Sequence, residues 1–294
     1  MHVAQLWQYP VKSMIGVQVG EVDLDDLGIV GDRTWAVRDL ERGGIRGAKK
    51  IGGLMRLAAR YAQAPAEGST RERRPVVITL PDGTEVRSDD DDADEKISAA
   101  VGHRVRLEAL QPADDLDHYR RGPGDSDDII AELRGIFGRV DDEPLPDLGQ
   151  FPPVIVEYES PPGTYYDAFP LLVMTTSALA SMQAALAGSV VDVRRFRPSI
   201  VLEVDDHDEV GEGTPAGHPE LGWAGRRARI GTAEIELLGG CPRCVMVTRE
   251  ISPEIPADTG VLRHVVRELD QNVGAYASVV APGRVGVDDR LHWI

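Results

Sequence analysis

Apolar runs in this chain are short, and turn residues end them. Val76-Val77-Ile78-Thr79-Leu80 leads into Pro81-Asp82-Gly83-Thr84 and then Glu85-Val86-Arg87, which reads as two strands joined by a tight turn. The rhythm recurs. Residues 3–9, Val17–Val19 and Glu21–Leu24 alternate as strands, Gly28 and Gly31 punctuate a turn, and Trp35-Ala36-Val37 opens a strand whose hairpin tip is Gly43-Gly44. Val105–Leu107 closes the series. Many short strands separated by turn residues predict a barrel or sandwich.

The middle of the chain breaks this rhythm. Asp91–Val101 reads as a helix with acids in its first turn, stopped by Gly102. Residues 111–128 are acidic and poor in apolar side chains, as a linker is. Asp128–Phe137 reads as one helix, and the proline-bearing residues 141–153 continue the connection over the surface. A second unit begins near Val154. Its expected strands are Pro170–Thr175, Ser199–Val204, Arg226–Ile230, Ala233–Leu238, Cys244–Thr248 and Arg290–Trp293. Its expected helices are Ala178–Ala187, capped by Thr176 or Ser177, and Val261–Leu269. His207–Gly217 reads as an acidic loop. The prediction is a mainly β (α+β) protein with an N-terminal domain over 1–112, a linker over 113–153 and a C-terminal domain over 154–294.

Composition narrows the function. A 42% hydrophobic content allows a proper core, and a formal charge of −17 argues against nucleic acid or an anionic membrane as partner. No stretch approaches the ~20 apolar residues of a membrane span. The N-terminus shows no basic, apolar signal-peptide pattern, so a cytoplasmic location is expected. Of the 32 basic residues four are lysines, and three of these, Lys12, Lys49 and Lys50, fall in the first fifty residues. A local basic cluster in so acidic a chain suits an anionic small molecule.

The two cysteines of the chain sit together in Cys241-Pro242-Arg243-Cys244, just after Gly239-Gly240, on an expected loop between two strands. Read alone, the pair is open to three interpretations. A redox dithiol normally opens a helix in a βαβ unit. Half of a zinc site lacks a second cysteine or histidine pair here. Two buried structural cysteines fit the residues as well. Arg243 beside the pair favours a thiolate, a soft metal ligand.

Four motifs carry a family resemblance. Cys241-Pro-Arg-Cys244 with Thr248 resembles the C-x-R-C…T signature of MOSC domains, the molybdenum-cofactor sulfurase C-terminal family. Tyr9-Pro10-Val11-Lys12-Ser13 and Gly28-Ile29-Val30-Gly31-Asp32-Arg33-Thr34-Trp35 resemble motifs of the MOSC N-terminal barrel, and Phe196-Arg197-Pro198-Ser199-Ile200 resembles F-R-P-N-I of the MOSC domain. Val285-Gly286-Val287-Asp288-Asp289 is similar to a terminal V-x-V-G-D turn, with Asp288 in place of the glycine. In order and spacing the chain is similar to the two-domain molybdenum proteins related to the mitochondrial amidoxime-reducing component and its bacterial relatives.

The resemblance implies an N-terminal barrel-like domain packed on a MOSC β-barrel with peripheral helices, and a pocket at their junction. It implies a molybdenum cofactor, Mo-molybdopterin, with Cys244 as metal ligand and Cys241 as its buried neighbour beside Arg243. Lys12, Ser13 and Arg33 would bind the pterin phosphate, Arg197 the pterin, and Lys49 occupies a basic position of the family motif. Ser199 departs from the family asparagine. Asp167 and Thr175, Thr176 and Ser177 align with the stretch that lines the metal pocket, with Asp167 as proton donor or substrate-orienting acid. The implied activity is reduction of N-hydroxylated or N-oxide small molecules. No flavin, haem or iron–sulfur motif is visible, so electrons would come from a separate donor protein of ferredoxin, flavodoxin or reductase type. The alternative is a sulfur carrier or cofactor-handling protein that holds a cysteine persulfide.

Overall fold

The computed structural model describes residues 1–63, 74–205 and 214–294, so residues 207–213 of the expected acidic loop lie outside the described residues. The protein is mainly β. Its largest sheet has eight strands in the order Leu291–Trp293, Arg227–Ile230, Ala233–Pro242, Asn272–Ala281, Leu171–Thr175, Ile200–Glu203, His2–Gln8 and Val17–Val19. Leu171–Thr175 is buried along its whole length. Its side chains alternate between two cores: Leu171 and Val173 pack with Val3, Leu6, Ile200 and Leu237, while Leu172 and Met174 pack with Phe196, Cys241, Leu262 and Val265. A strand covered on both faces reads as an unbroken apolar run, as this one does.

Chain order and strand pairing disagree about where the halves divide. His2–Gln8 pairs with Ile200–Glu203, with Leu6 opposite Ile200. Glu21–Asp25 pairs with Gly283–Gly286. Much of the first thirty residues therefore completes the sheet system of the C-terminal half. The remainder of the N-terminal half forms two three-stranded sheets, Ala109–Val105 with Trp35–Asp39 and Ile45–Arg46, and Ala58–Tyr61 with Val76–Thr79 and Glu85–Arg87. Their core includes Val37, Leu54, Met55, Ile78, Ile97 and Val105. Met246 and Ile251, from just beyond the cysteines, also join it.

Several local expectations change. The strand before the cysteines does not stop at Gly239-Gly240; it bends through bulges there and runs on to Pro242. Gly239 has φ +151°, and a Cβ on Gly240 would lie 2.9 Å from Asn272 Cγ. Cys241 is thus a strand residue. The expected strand Cys244–Thr248 is instead a 3-10 turn, Val245–Thr248, closed by the Thr248 hydroxyl donating to the Val245 carbonyl at 2.8 Å. The second-half helix is Thr176–Ala185, and its cap is Thr175, whose hydroxyl accepts from Ala178 N. The sequence reading missed the central strand Asn272–Ala281. Its buried residues are Val273, Gly274, Ala275 and Ala277, of which only Val273 carries a β signal of its own.

The acidic linker is fastened to both halves. Asp128 caps the helix Ile129–Phe137. Asp125 and Glu132 hold Lys50 of the N-terminal half, the former at 2.8 Å. Glu143 pairs with Arg263 and Arg267 of the C-terminal helix Thr259–Glu268. Among the described residues, no helix is long and apolar enough to cross a membrane.

Asp288 occupies the left-handed region with φ +71°, where the family turn has glycine. Asp288→Gly is expected to retain the wild-type melting temperature. Asp288→Val should lose roughly 1–3 kcal/mol, because a β-branched side chain resists this conformation. Denaturant unfolding of both variants checks the pair.

Candidate functional site

The site grows from Tyr9, at the end of the first strand. Its amide donates to Asp32 Oδ1 at 2.6 Å, its carbonyl accepts from Arg33 N at 2.7 Å, and its hydroxyl donates to the Pro198 carbonyl at 2.9 Å. Arg197 stacks on its ring, 4.2 Å from the centroid, and Arg33 lies over it and over Tyr166, at 5.4 and 5.1 Å. Asp32 pairs with Arg33, and Arg197 donates to the Met14 carbonyl. Three motifs far apart in sequence are thereby drawn to one place. Burial, then the nearby Arg33 charge, pushes Arg197 down to about 10.

Lys12 leaves the same strand into the interior. Its ammonium donates to Asp167 Oδ1 at 2.7 Å, the Tyr165 carbonyl at 2.9 Å and Ser160 Oγ at 3.3 Å. The other carboxylate oxygen of Asp167 meets Lys49 Nζ at 3.2 Å. Burial would raise the Asp167 pKa, but Lys12 and then Lys49 outweigh it and hold the carboxyl well below the usual range. Asp167 here is an ionised acceptor. Burial lowers the Lys12 pKa against the pull of Asp167. Lys49 is raised: burial opposes this, and Asp167 and then Cys244 prevail. Lys49 therefore feels both the carboxylate and the second cysteine.

In the cysteine segment Cys241 is buried and Cys244 is partly exposed, and both thiols are free. Arg243 donates to Cys241 Sγ at 3.0 Å and to the Phe196 carbonyl at 2.7 Å. Burial raises the Cys241 thiol despite Arg243. Tyr276, from the central strand Asn272–Ala281, packs in the same core cluster as Cys241. Its ring packs on Phe169 at 4.7 Å, two residues after Asp167. Arg139 of the linker donates to the Arg243 carbonyl at 3.2 Å and to Gln271 Oε1 at 3.0 Å. An isolated tyrosine among alanines and an arginine in an acidic linker carry no sequence pattern that would single them out.

Some expected residues are used differently. The Ser13 hydroxyl accepts from Ala48 N at 2.9 Å, which places it as a brace for the turn that carries Lys49. Lys50 turns to the linker acids. Thr175 shares its strand face with Leu171 and Val173, away from Cys241, and its hydroxyl donates to Glu220 at 2.8 Å. Ser177 bonds Thr175, and Thr176 opens the helix. The structure therefore gathers Lys12, Arg33, Lys49, Arg197, Arg243, Asp167 and the cysteines, while Thr175, Thr176 and Ser177 serve the helix start.

The gathered set is electrostatically unbalanced. Five cationic side chains, Lys12, Arg33, Lys49, Arg197 and Arg243, are gathered with two directly paired carboxylates, Asp32 and Asp167, and with Glu159 near the lysines. Among the described residues, Arg197 Nη2 and Arg243 Nε are buried with no hydrogen-bond partner. Buried donors lacking acceptors are costly, and an anionic ligand rich in oxygen acceptors fits them.

Asp167 gives a pH prediction. Its folded pKa is depressed, so its stabilising contribution is present above the unfolded carboxylate pKa, ~3.9. That contribution disappears as pH falls through the folded value. Asp167→Asn should therefore lower the melting temperature at neutral pH, and the gap should close in strong acid. Melting curves across pH for both proteins test the sign.

Comparison with known proteins agrees with the geometry. The MOSC domain family matches residues 161–292, and the MOSC N-terminal beta barrel domain matches residues 1–121. Mitochondrial amidoxime reducing component 2 of Homo sapiens is 24% identical over 273 residues, covering 88% of this chain and 68% of that protein. Among solved structures, the YUAD protein from Bacillus subtilis aligns over 99% of this chain and 93% of that one, at 11% identity and a TM-score of 0.41. YiiM from Geobacillus stearothermophilus covers 43% of this chain and 54% of its own, at 12% identity and a TM-score of 0.28. With the two domain matches following in order on either side of residues 122–160 and the matched motifs meeting around Tyr9, Lys12 and Cys241, this chain belongs to the MOSC-domain proteins that carry a MOSC N-terminal β-barrel domain.

Proposed function

We propose that this protein binds the molybdenum cofactor where its halves meet and is a molybdenum-dependent oxidoreductase. Its substrates are N-hydroxylated or N-oxide small molecules, and its electrons come from a separate donor protein. The observation that carries the reading is the cationic excess around a partly exposed cysteine, in a chain of net charge −17. Among the described residues, no group of three or more His, Cys, Asp or Glu side chains could hold a metal ion. A metal held through one thiolate must bring its other ligands with it, as a pterin dithiolene does. The similarity to an amidoxime reducing component supports the reaction class.

The contacts, together with the family resemblance, support the following roles. Lys12 and Lys49 hold phosphate, joined by Arg33. Arg197 and Arg243 direct their unpartnered N–H groups at pterin or phosphate oxygens. Cys244 is the metal ligand and Cys241 its buried support. Asp167, ionised beside Lys12 and Lys49, orients substrate and has no proton to donate at neutral pH. The bound cofactor supplies two-electron oxygen-atom chemistry at its metal. Two free cysteines suit a reducing compartment such as the cytoplasm.

The test is metal analysis of protein made in a cofactor-competent host, with Cys244→Ser, Cys241→Ser and Lys12→Ala beside the wild type. The wild type should carry molybdenum and pterin and reduce a simple N-hydroxylated compound with an artificial donor. Cys244→Ser should lose nearly all activity, since a neutral hydroxyl is a poor substitute for a thiolate. Cys241→Ser should be milder. Lys12→Ala should weaken cofactor retention by roughly 1.5–3 kcal/mol, the cost of a charge-assisted contact. Persulfide on a cysteine without molybdenum would replace this reading with sulfur transfer.

A further inference from the structure

Lys12 and Lys49 already have an anion between them, and it belongs to the chain itself. Asp167 offers one oxygen to each ammonium, at 2.7 and 3.2 Å. Among the described residues, those two ammonium groups are its hydrogen-bond and ion-pair partners; no backbone amide donates to it. The Asp167 side chain is 44% exposed where that of Lys12 is 4% exposed. The carboxylate therefore sits on the solvent side of the seat and leaves by turning outward. Its neighbours Tyr165, Tyr166 and Ala168 are buried, so the backbone need not follow. Lys12 keeps the Tyr165 carbonyl and Ser160 hydroxyl when Asp167 leaves, so the seat survives its departure.

We propose that Asp167 is a specificity-determining residue: its carboxylate occupies the anion seat of Lys12 and Lys49, and only a multiply charged phosphate group displaces it. This deepens the cofactor reading above by assigning how the seat discriminates. A tethered carboxylate acts at an effective concentration of about millimolar or more. A free carboxylate or chloride brings the same single charge and must exceed that concentration to compete. A phosphate monoester brings nearly two charges and three acceptor oxygens, enough to meet both ammonium groups at once. The seat is thus closed to abundant monoanions and open to phosphates.

The test uses the full chain prepared without cofactor, with inorganic phosphate and acetate as probes in calorimetric titrations at neutral pH. Wild type should bind phosphate weakly and acetate not measurably. Asp167→Asn should bind phosphate at least about tenfold more tightly, a gain of about 1.4 kcal/mol, and acetate binding should become measurable. Adding Lys12→Ala to Asp167→Asn should remove both. Glu159→Gln is the charge control. It also deletes one negative charge close enough to act on both lysines, but Glu159 bonds Arg121, at 2.7 Å, and places no oxygen on either ammonium. The proposal is overturned if Asp167→Asn binds phosphate no better than wild type, or if Glu159→Gln reproduces the gain. Asp167→Ser repeats the comparison if the asparagine variant melts below the assay temperature. Molybdenum is not read in this experiment, so loss of the cofactor assignment and loss of this proposal are separate results.

Discussion

The structure depends on what is fastened to Tyr9. Its ring is fully buried between two guanidinium groups, and its three polar groups bond Asp32, Arg33 and the Pro198 carbonyl. Burial raises its phenol pKa, so it remains a neutral donor. One residue, through its backbone and its hydroxyl, therefore joins the first strand, the turn after Gly28 and the entry to Ile200–Glu203. These segments are 189 residues apart at the extreme. Like-charged Arg33 and Arg197 are held near one another only because the ring faces and Asp32 offset part of their repulsion. What remains uncompensated is the positive field that an anion meets.

The backbone is shaped for the same purpose. Among the described residues, six non-glycine positions have positive φ, and three of them are Ser13, Arg33 and Arg197, at 67, 50 and 58°. Each conformation costs roughly 1–2 kcal/mol in an L-residue. A glycine at any of the three would relieve the backbone and delete the side chain. Ser13 keeps its hydroxyl on Ala48 N, Arg33 its pairing with Asp32, and Arg197 its place on Tyr9. Arg33 and Arg197 meet over the ring of Tyr9, and Ser13 braces the turn that carries Lys49; backbone strain of this kind collects at functional sites.

Sequence reading reached the parts of this design that repeat or match motifs. The hairpin 76–87, the helix beginning at Asp128 and the buried run Leu171–Thr175 are legible because each is decided locally, by turn chemistry or by hydrophobic pattern. The central strand Asn272–Ala281 was not, since alanine and glycine on its buried face mark close packing only once the neighbouring strands are known. Tyr276 went unnoticed with it. Cys241 was placed on a loop because Gly239-Gly240 looks like a stop, whereas pairing to Asn272–Ala281 carries the strand through. Thr175, Thr176 and Ser177 were near the site in sequence, but a strand alternates its faces, and Thr175 points to the other core.

The cysteine segment shows why such errors cluster at a site. Arg139 of the linker grips the Arg243 carbonyl, Arg249 donates to the Lys49 carbonyl at 3.2 Å, and Met246 and Ile251 pack in the N-terminal core. Cys244 is thus positioned through its chain neighbours Arg243, Met246, Arg249 and Ile251, which are held by the linker and the N-terminal half. A segment anchored this way has little freedom to relax when one anchor is lost, because the others still constrain it. The acidic linker then has a physical role that its composition hides. By tying Glu143 to Arg263 and Lys50 to Glu132, it holds the halves in register across the cationic seat, and the excess of positive charge stays assembled despite its own repulsion.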